Sequence, residues 1–525
     1  MKIEVYHAPG MQHQTCEKVL EAMADVAVEA GIYQFGGVLV EVAVTKKTTD
    51  KAGVKRSKGA FTLKTLTAAG ICRAFSKYVV ITKDDGRQKD LDKKKVVDFP
   101  KSTADAILSL VIPDPVPDIV GINLASFLGP DGKEYSTPGY HPGPKVLLVT
   151  SGPLKHAPGV EGRSKGTKGL EKIKHLLRGF NFKDDGDLSA AIAGIMTALN
   201  RKSMPAAPMF QVTAPAAGTG KSKYVDVVSI IVTGGRAAVL AIGRDEAEFA
   251  KRFAGVLAQA DPIVSFDNVT REFGKEDILL QALTQTHVLI RLLGASSIMK
   301  VPTLTTFFAT GNNLRPVSDL KRRSCLIRMD AGVERPEHRT FKFDVIEEAM
   351  KDRDVLIRAA LDISASYMEA GTPPVFVQDA EGNDEPLKPA GSFEVWDKMI
   401  RRALVWHGMP DPLKSAETLR ELDPELEATT MLIDAWFRIF QDKAIRAGDV
   451  IERALAKVND GGDNWVLQNQ DLNDALHFVC SDNVNARRLG NWLRKSRDFI
   501  VNGKRLVQAG KDSHANTILW KVEQV

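Results

Sequence analysis

The chain has 525 residues, of which 44% are hydrophobic and 26% charged, with a formal net charge of +5. These are ordinary globular values, so disordered and fibrous classes are excluded. At about 150 residues per domain the length predicts roughly three domains, and so small a charge surplus points to nucleic acid only if it is concentrated locally.

Thr15–Ala30 predicts a helix, with Val19, Leu20, Met23, Val26 and Ala27 at helical spacing. Gly37–Val44 predicts a strand. Residues 45–98 carry fifteen basic residues against six acidic ones, a candidate surface for sequence-independent DNA contact. Residues 129–145 and 151–169 are glycine-rich and predict loops, the second one basic and flexible. From about residue 203 short apolar runs alternate with helical segments, the pattern of a parallel sheet flanked by helices. Five strands are expected: Met209–Thr213, Ala238–Ile242, Ile263–Phe266, Thr305–Ala309 and Cys325–Met329. Residues 343–457 read as mainly helical, with an interruption over 371–391. The chain then closes with helices and a tight hairpin.

The most informative stretch is FQVTAPAAGTGKS, Phe210–Ser222. An apolar strand enters a glycine-rich loop that opens a helix, so backbone N–H groups and the helix N-terminus can cradle phosphates. Ala217, Gly218, Thr219, Gly220, Lys221 and Ser222 form this cradle. Lys221 would reach the β- and γ-phosphates, and Ser222 would ligate Mg²⁺. Pro215 stands where the usual pattern has its first glycine. A second acid for Mg²⁺ is expected at a neighbouring strand end, and Asp267 after PIVSF fits. Asn268 follows it where a water-orienting glutamate is usual. Glu246 and Glu248 are therefore candidate substitutes, against the alternative of an exposed acidic helix start. Asn312 or Asn313, after the fourth strand, can touch the γ-phosphate or its water. Arg322 or Arg323 can reach the γ-phosphate of a neighbouring subunit, a contact worth about 10³–10⁵ in rate.

Near the C-terminus, Asn485–Ser496 predicts a helix with Ala486, Leu489, Trp492 and Leu493 on one face. Phe499–Val501, the Asn502-Gly503 turn and Lys504–Val507 predict a hairpin, followed by a basic tip and a last strand, Thr517–Val522. Helix then hairpin is a winged-helix pattern. Residues 485–525 hold nine basic residues against three acidic ones. Arg487, Arg488, Arg494, Lys495, Lys504 and Arg505 are the candidate DNA contacts, with a protein-binding winged helix as the alternative. Gly294–Val301, ahead of the fourth strand, is a candidate hairpin that would set Lys300 on a DNA backbone.

Cys16, Cys72, Cys325 and Cys480 stand far apart with no Cys-x-x-Cys pair. A zinc ribbon or disulfide framework is not expected, and a reducing cytoplasm, of a bacterial or phage-infected cell, is. MKIEVYHAPG shows no apolar signal region, and Val225–Ile242 is broken by Asp226, Gly234, Gly235 and Arg236, so no membrane partner is expected.

GTGKS, SFDN, the TGNN turn and the arginine pair, in that order on five strands, resemble the core of an AAA+ ATPase. RLLGASSIMKVPTLTTFFATGNNLRPVSDLKRRSCLIRMDAGVERPEHRTF, with PGYHPG (138–143), APAAGTGKS (214–222) and GSFEVWDKMIRRALVWHGMPDP (391–412), resembles helicase-type ATPases of phages and integrated mobile elements. These lie near the superfamily-three and poxvirus-type primase-helicases. The likeness runs from about Gly31 onward. It implies an α/β fold with an AAA+ P-loop core (201–342), an α+β N-terminal domain (1–200) as a collar or DNA- or partner-binding part, a helical lid or linker (343–457) and a winged helix (458–525). It implies ATP with Mg²⁺, a ring hexamer, and single-stranded or forked DNA in a central channel. In that likeness Lys221 and Ser222 match the Walker A motif and Asp267 the Walker B acid. Asn312 or Asn313 matches sensor 1, and Arg322 or Arg323 the arginine finger. No hydrophobic-Asp-x-Asp primase signature is present, since Asp84-Asp85 lies in a KDDGRQKD turn, so a separate primase is the expected partner. The implied function is an ATP-driven DNA helicase or translocase for replication of a mobile element; the alternative is an AAA+ initiator, loader or ATPase switch that binds DNA without unwinding it.

Overall fold

The computed structural model describes every residue except 1, 8–9, 47–48, 50–53, 85–93, 110–114, 155–160, 243–244, 270–273, 275, 292–297, 315–317, 334–342, 379–380, 417–423, 460–464, 481–482 and 513–516. The chain divides into two compact units, Met1–Ala416 and Glu417–Val525.

The larger unit is organised around five parallel strands. In chain order these are β1 (Met209–Ala214), β2 (Ala238–Leu240), β3 (Ile263–Phe266), β4 (Thr306–Asn312) and β5 (Ser324–Arg328), arranged β2-β3-β4-β1-β5. Every residue of β1 and β3 is buried, which is why their sequences are mainly apolar rather than alternating, and the buried Gln211 donates to Ser324 Oγ at 3.0 Å. Successive side chains serve opposite faces. Phe308 joins Phe210 and Tyr224 in the core on one side, while Phe307 joins Phe253 and Phe266 in the core on the other. Helix α1 (Lys221–Thr233) follows β1, and α2 (Glu246–Ala258) follows β2. Helix α1 starts at Gly220 (φ 95°) and stops at Gly234 (φ 76°), whose N–H bonds the Ile230 carbonyl at 2.8 Å. Both residues need left-handed backbone, which glycine adopts without steric cost.

The strand ends are held in place from outside the sheet. Arg201 and Lys202, both buried, grip the segment entering β4: Arg201 donates to the Thr303 and Thr305 carbonyls, and Lys202 to Leu304 at 2.8 Å. Lys55 pairs with Val239 on the open edge of β2. Next to it, Arg56 makes a two-pronged bond to Asp261, at 2.8 and 2.6 Å, just ahead of β3.

Several expectations shift by small amounts. The predicted helix Thr15–Ala30 is two helices, Gln12–Ala24 and Ala27–Ala30. The glycine-rich stretch 151–169 is not all loop, because Arg163–Leu177 is helical. Its glycines serve packing: a Cβ at Gly169 would lie 2.3 Å from the Ala359 carbonyl oxygen of helix Arg353–Glu369. The predicted hairpin ahead of β4 consists of His287–Arg291 paired with Ile298–Pro302, with 292–297 outside the described residues. The interruption 371–391 contains a small hairpin, Phe376–Gln378 with Asp384–Pro386. Asp84 ends the strand Val79–Asp84, and Asp85 lies outside the described residues.

The smaller unit has its own core. Helices Pro424–Phe440, Ala447–Leu455, Gln470–Cys480 and Ala486–Lys495 bury Trp436, Val450, Leu472, Leu489 and Leu493 together with Leu506 and Trp520 of its sheet. The sheet runs Ile445–Arg446, Ile518–Gln524, Lys504–Lys511, Ile500–Val501, all antiparallel. Asn485 caps the last helix by accepting from Arg488 N–H at 2.9 Å, as an N-cap asparagine should. The predicted basic tip is strand as far as Lys511, and 513–516 lie outside the described residues.

Candidate active site

The loop from Pro215 to Gly220 crosses the end of β1 with Ala217 and Gly218 exposed at its crest. Gly218 (φ 76°) and Gly220 (φ 95°) turn it back into α1. The Lys221 side chain folds under this loop, and the residue is only 9% exposed. Its ammonium donates to the Ala216 carbonyl at 3.0 Å, to Thr219 Oγ1 at 3.1 Å and to Asn312 Oδ1 at 2.8 Å. Burial lowers its pKa, and the charge of nearby Asp267 works against that shift.

Ser222 donates to Asp267 Oδ1 at 2.8 Å, and Thr310 donates to the same oxygen at 2.6 Å. Thr310 Oγ1 also accepts from the Asn268 N–H at 3.2 Å. Asn268 and Asn313 both have left-handed backbone (φ 53° and 49°), a conformation asparagine tolerates better than most residues. Asn313 is anchored through its backbone to Ala214, leaving Asn312 as the asparagine whose side chain meets Lys221. Residues from β1, β3 and β4, adjacent strands of the sheet, therefore converge at one end of it. A lysine ammonium and backbone N–H groups at a helix start suit phosphate oxygens. A serine hydroxyl beside a carboxylate is a hard-oxygen set that suits Mg²⁺.

Two neighbours of this site were not singled out from sequence. Thr310 precedes the TGNN asparagines and reads as an ordinary strand residue. Asp226 lies one helical turn beyond Ser222, a spacing that puts both on one face of α1 and could have marked it. A cleft of about 610 Å³ is lined by Lys55, Ser57, Ser222, Asp226, Arg236 and Asp267. Burial raises the Asp226 pKa, Arg236 at 3.6 Å opposes that, and the charge of Asp267 adds to it.

Glu248 pairs with Arg252 at 3.0 Å, and Glu246 sits in the first turn of α2; neither lines the cleft. Arg322 is 60% exposed and bonds Asp319. Arg323 is folded inward, where it bonds Asp319, the Leu280 carbonyl at 2.5 Å and Thr284 at 3.2 Å. Lys300 stands opposite Leu289 on a hairpin face where Leu289 and Ile298 are 67% and 70% exposed. In the C-terminal unit Arg487 and Arg494 are exposed and make no ion pair among the described residues, and Lys495 is exposed beside them. Arg488 donates to the Cys480 carbonyl at 3.1 Å, Lys504 pairs with Asp434 at 2.6 Å and Arg505 with Glu523 at 2.6 Å. Among the described residues no helix is long and apolar enough to cross a membrane.

No family model and no curated protein matches the chain. Solved structures do. The apo form of the NrS-1 C-terminal region is 13% identical, with 96% of this chain and 98% of that one covered at a TM-score of 0.40. The active helicase Cch of SCCmec type IV is 11% identical, with 94% and 97% covered at a TM-score of 0.30. Likeness at this level does not carry a function across, so the functional reading rests on the site geometry.

Proposed function

We propose that this protein is an ATP hydrolase of the AAA+ type that works as a DNA helicase or translocase, assembled as a ring, in the replication of a mobile element. One observation carries the reading: the Lys221–Asn312 and Ser222–Asp267 contacts join the glycine loop to the ends of β3 and β4 in a single site. The strand order, with β1 between β4 and β5, and the helix-and-hairpin arrangement of the C-terminal unit, read as a winged helix, agree with it.

In this reading Lys221 and the loop N–H groups bind the triphosphate. Ser222 and Asp267 hold Mg²⁺, which when bound neutralises phosphate charge. Asn312 lies against Lys221, placed to orient the terminal phosphate or its water. Arg322, supplied by an adjacent copy of the chain, completes the site as the finger, while Arg323 holds its own subunit together. The Lys300 hairpin face and the exposed Arg487, Arg494 and Lys495 contact single-stranded or forked DNA, and residues 1–200 form a collar. A separate primase supplies primers.

Strand displacement on forked DNA by the full chain and by Lys221→Ala tests the proposal. ATP-dependent displacement by the former alone is expected, and absence of both displacement and ATP hydrolysis contradicts it. One observation favours a second reading, a DNA-bound ATPase switch: Asn268, locked to Thr310 through its N–H, offers no carboxylate where one would orient water. DNA-stimulated hydrolysis without displacement would select that reading.

A further inference from the structure

A second basic cleft, of about 450 Å³, opens between helix Arg163–Leu177 and helix Arg353–Glu369, with Ser151–Leu154 as its third wall. It shares no lining residue with the cleft at Ser222 and Asp267. Lys165, Lys168 and Lys172 line it from one side. Their spacing of three and four residues places them in one stripe, about 10 Å long at 1.5 Å per residue. Gly166 and Gly169 let the two helices touch: a Cβ at either would fall 2.2–2.3 Å from Ser366 or Ala359. The lysine stripe is thereby set at the mouth of a groove rather than on a convex surface.

Arg358 lines the opposite wall. Its side chain is 7% exposed and pairs with Glu134 at 2.7 Å and Asp362 at 2.9 Å. Even so, its buried Nη2 finds no hydrogen-bond partner among the described residues, an unfavourable state for a guanidinium N–H. Four basic side chains, Lys165, Lys168, Lys172 and Arg358, line the groove against two acidic ones, Asp354 and Asp362. Asp362 faces Arg358, and Glu369 pairs with Lys165 at 2.5 Å. Lys168 and Lys172 are exposed and make no ion pair among the described residues. The groove therefore has a cationic surplus, a buried donor in need of an acceptor, and room for more than one tetrahedral anion.

We propose that this groove binds phosphoryl groups, as a second anion site separate from the glycine loop. Its open, elongated shape favours successive phosphates of a single-stranded polynucleotide over a compact free polyphosphate. The inference does not depend on nucleotide binding at Lys221, and its test is arranged to keep the two apart.

The test uses the full chain with Lys168→Gln and Lys172→Gln together, both exposed positions outside the core. A fluorescein-labelled oligothymidylate is titrated by anisotropy over a range of salt. Tripolyphosphate is titrated by calorimetry in a Lys221→Ala background, which removes the glycine loop as a binder. A fall of about tenfold in oligonucleotide affinity is expected. The slope of log affinity against log salt should also become shallower by about 1.4, at about 0.7 per lost single-strand phosphate contact. Loss of tripolyphosphate binding as well would assign the groove to free polyphosphate, still a phosphoryl site. Unchanged binding of both probes, or no binding of either by the unsubstituted groove, overturns the proposal whatever happens at Lys221.

Discussion

Arg322 and Arg323 are adjacent in sequence and opposite in circumstance. Arg322 is 60% exposed, whereas Arg323 is 15% exposed and bonded to the Leu280 carbonyl and Thr284. Arg322→Ala should therefore cut ATP turnover by about 10³-fold or more at an unchanged thermal midpoint, and mixing it with Lys221→Ala subunits should restore part of the activity. Arg323→Ala should lower the midpoint first. Equal loss of stability in both would sink the finger assignment. A second residue-scale expectation concerns pH. His407 bonds Ser366 at 2.9 Å, and burial, aided by the Arg163 charge, pushes its pKa down to about 4. Unfolded, the same ring titrates near 6.5. Between those values the unfolded chain binds a proton that the native chain does not, so this contribution to stability is complete above about pH 6.5 and lost as pH falls toward 4. Denaturation midpoints at pH 7 and pH 4.5 should fall less steeply for His407→Gln than for the parent; parallel declines would contradict this. At this scale GTGKS, Asp267 and the asparagine turn were legible because phosphate chemistry restricts residue types. Thr310 and Asp226 were not, since a strand threonine and a helix aspartate are ordinary until the fold brings them to Asp267.

The five core strands were legible for a different reason: a strand buried on both faces must be mainly apolar, and MFQVTA and IVSF are, with Gln211, Thr213 and Ser265 as their buried polar members. Helix Arg163–Leu177 was hidden because RSKGTKG spends its helix-forming positions on close packing and charge; glycine lowers local helix preference by about 1 kcal/mol relative to alanine, and contact with helix Arg353–Glu369 overrides that. The break between Ala24 and Ala27 was equally invisible, since apolar spacing continues across it. Element-level coupling centres on Arg56 and Asp261, which are 6% and 3% exposed. They tie the segment beside β2 to the start of β3, whose far end leads into Asp267. Arg56→Ala removes the two-pronged partner of the buried Asp261 carboxylate and should cost about 3–5 kcal/mol, read as a lower chemical-denaturation midpoint. A cost below about 1 kcal/mol would mean the pair is not the fastening proposed.

For the molecule as a whole, the division at Ala416 and Glu417 was not apparent from composition, because helix Pro424–Phe440 resembles the helices before it; only its packing against helix Gln470–Cys480 and strand Ile518–Gln524 reveals its allegiance. The finger role proposed for Arg322 requires copies of the chain to meet. Native mass measurement with ATP and forked DNA should accordingly show a closed multiple of the single chain, and a monomer under all conditions would remove the shared-site reading. The central claim is narrower: Lys221, Ser222, Asp267 and Asn312 together hold a nucleoside triphosphate with magnesium. Equilibrium binding of Mg²⁺–ATP to the full chain and to its Lys221→Ala and Asp267→Asn variants measures this most directly. Saturable binding at one site per chain, weakened at least about tenfold by either substitution, is the predicted result; binding of equal strength in all three proteins would contradict it.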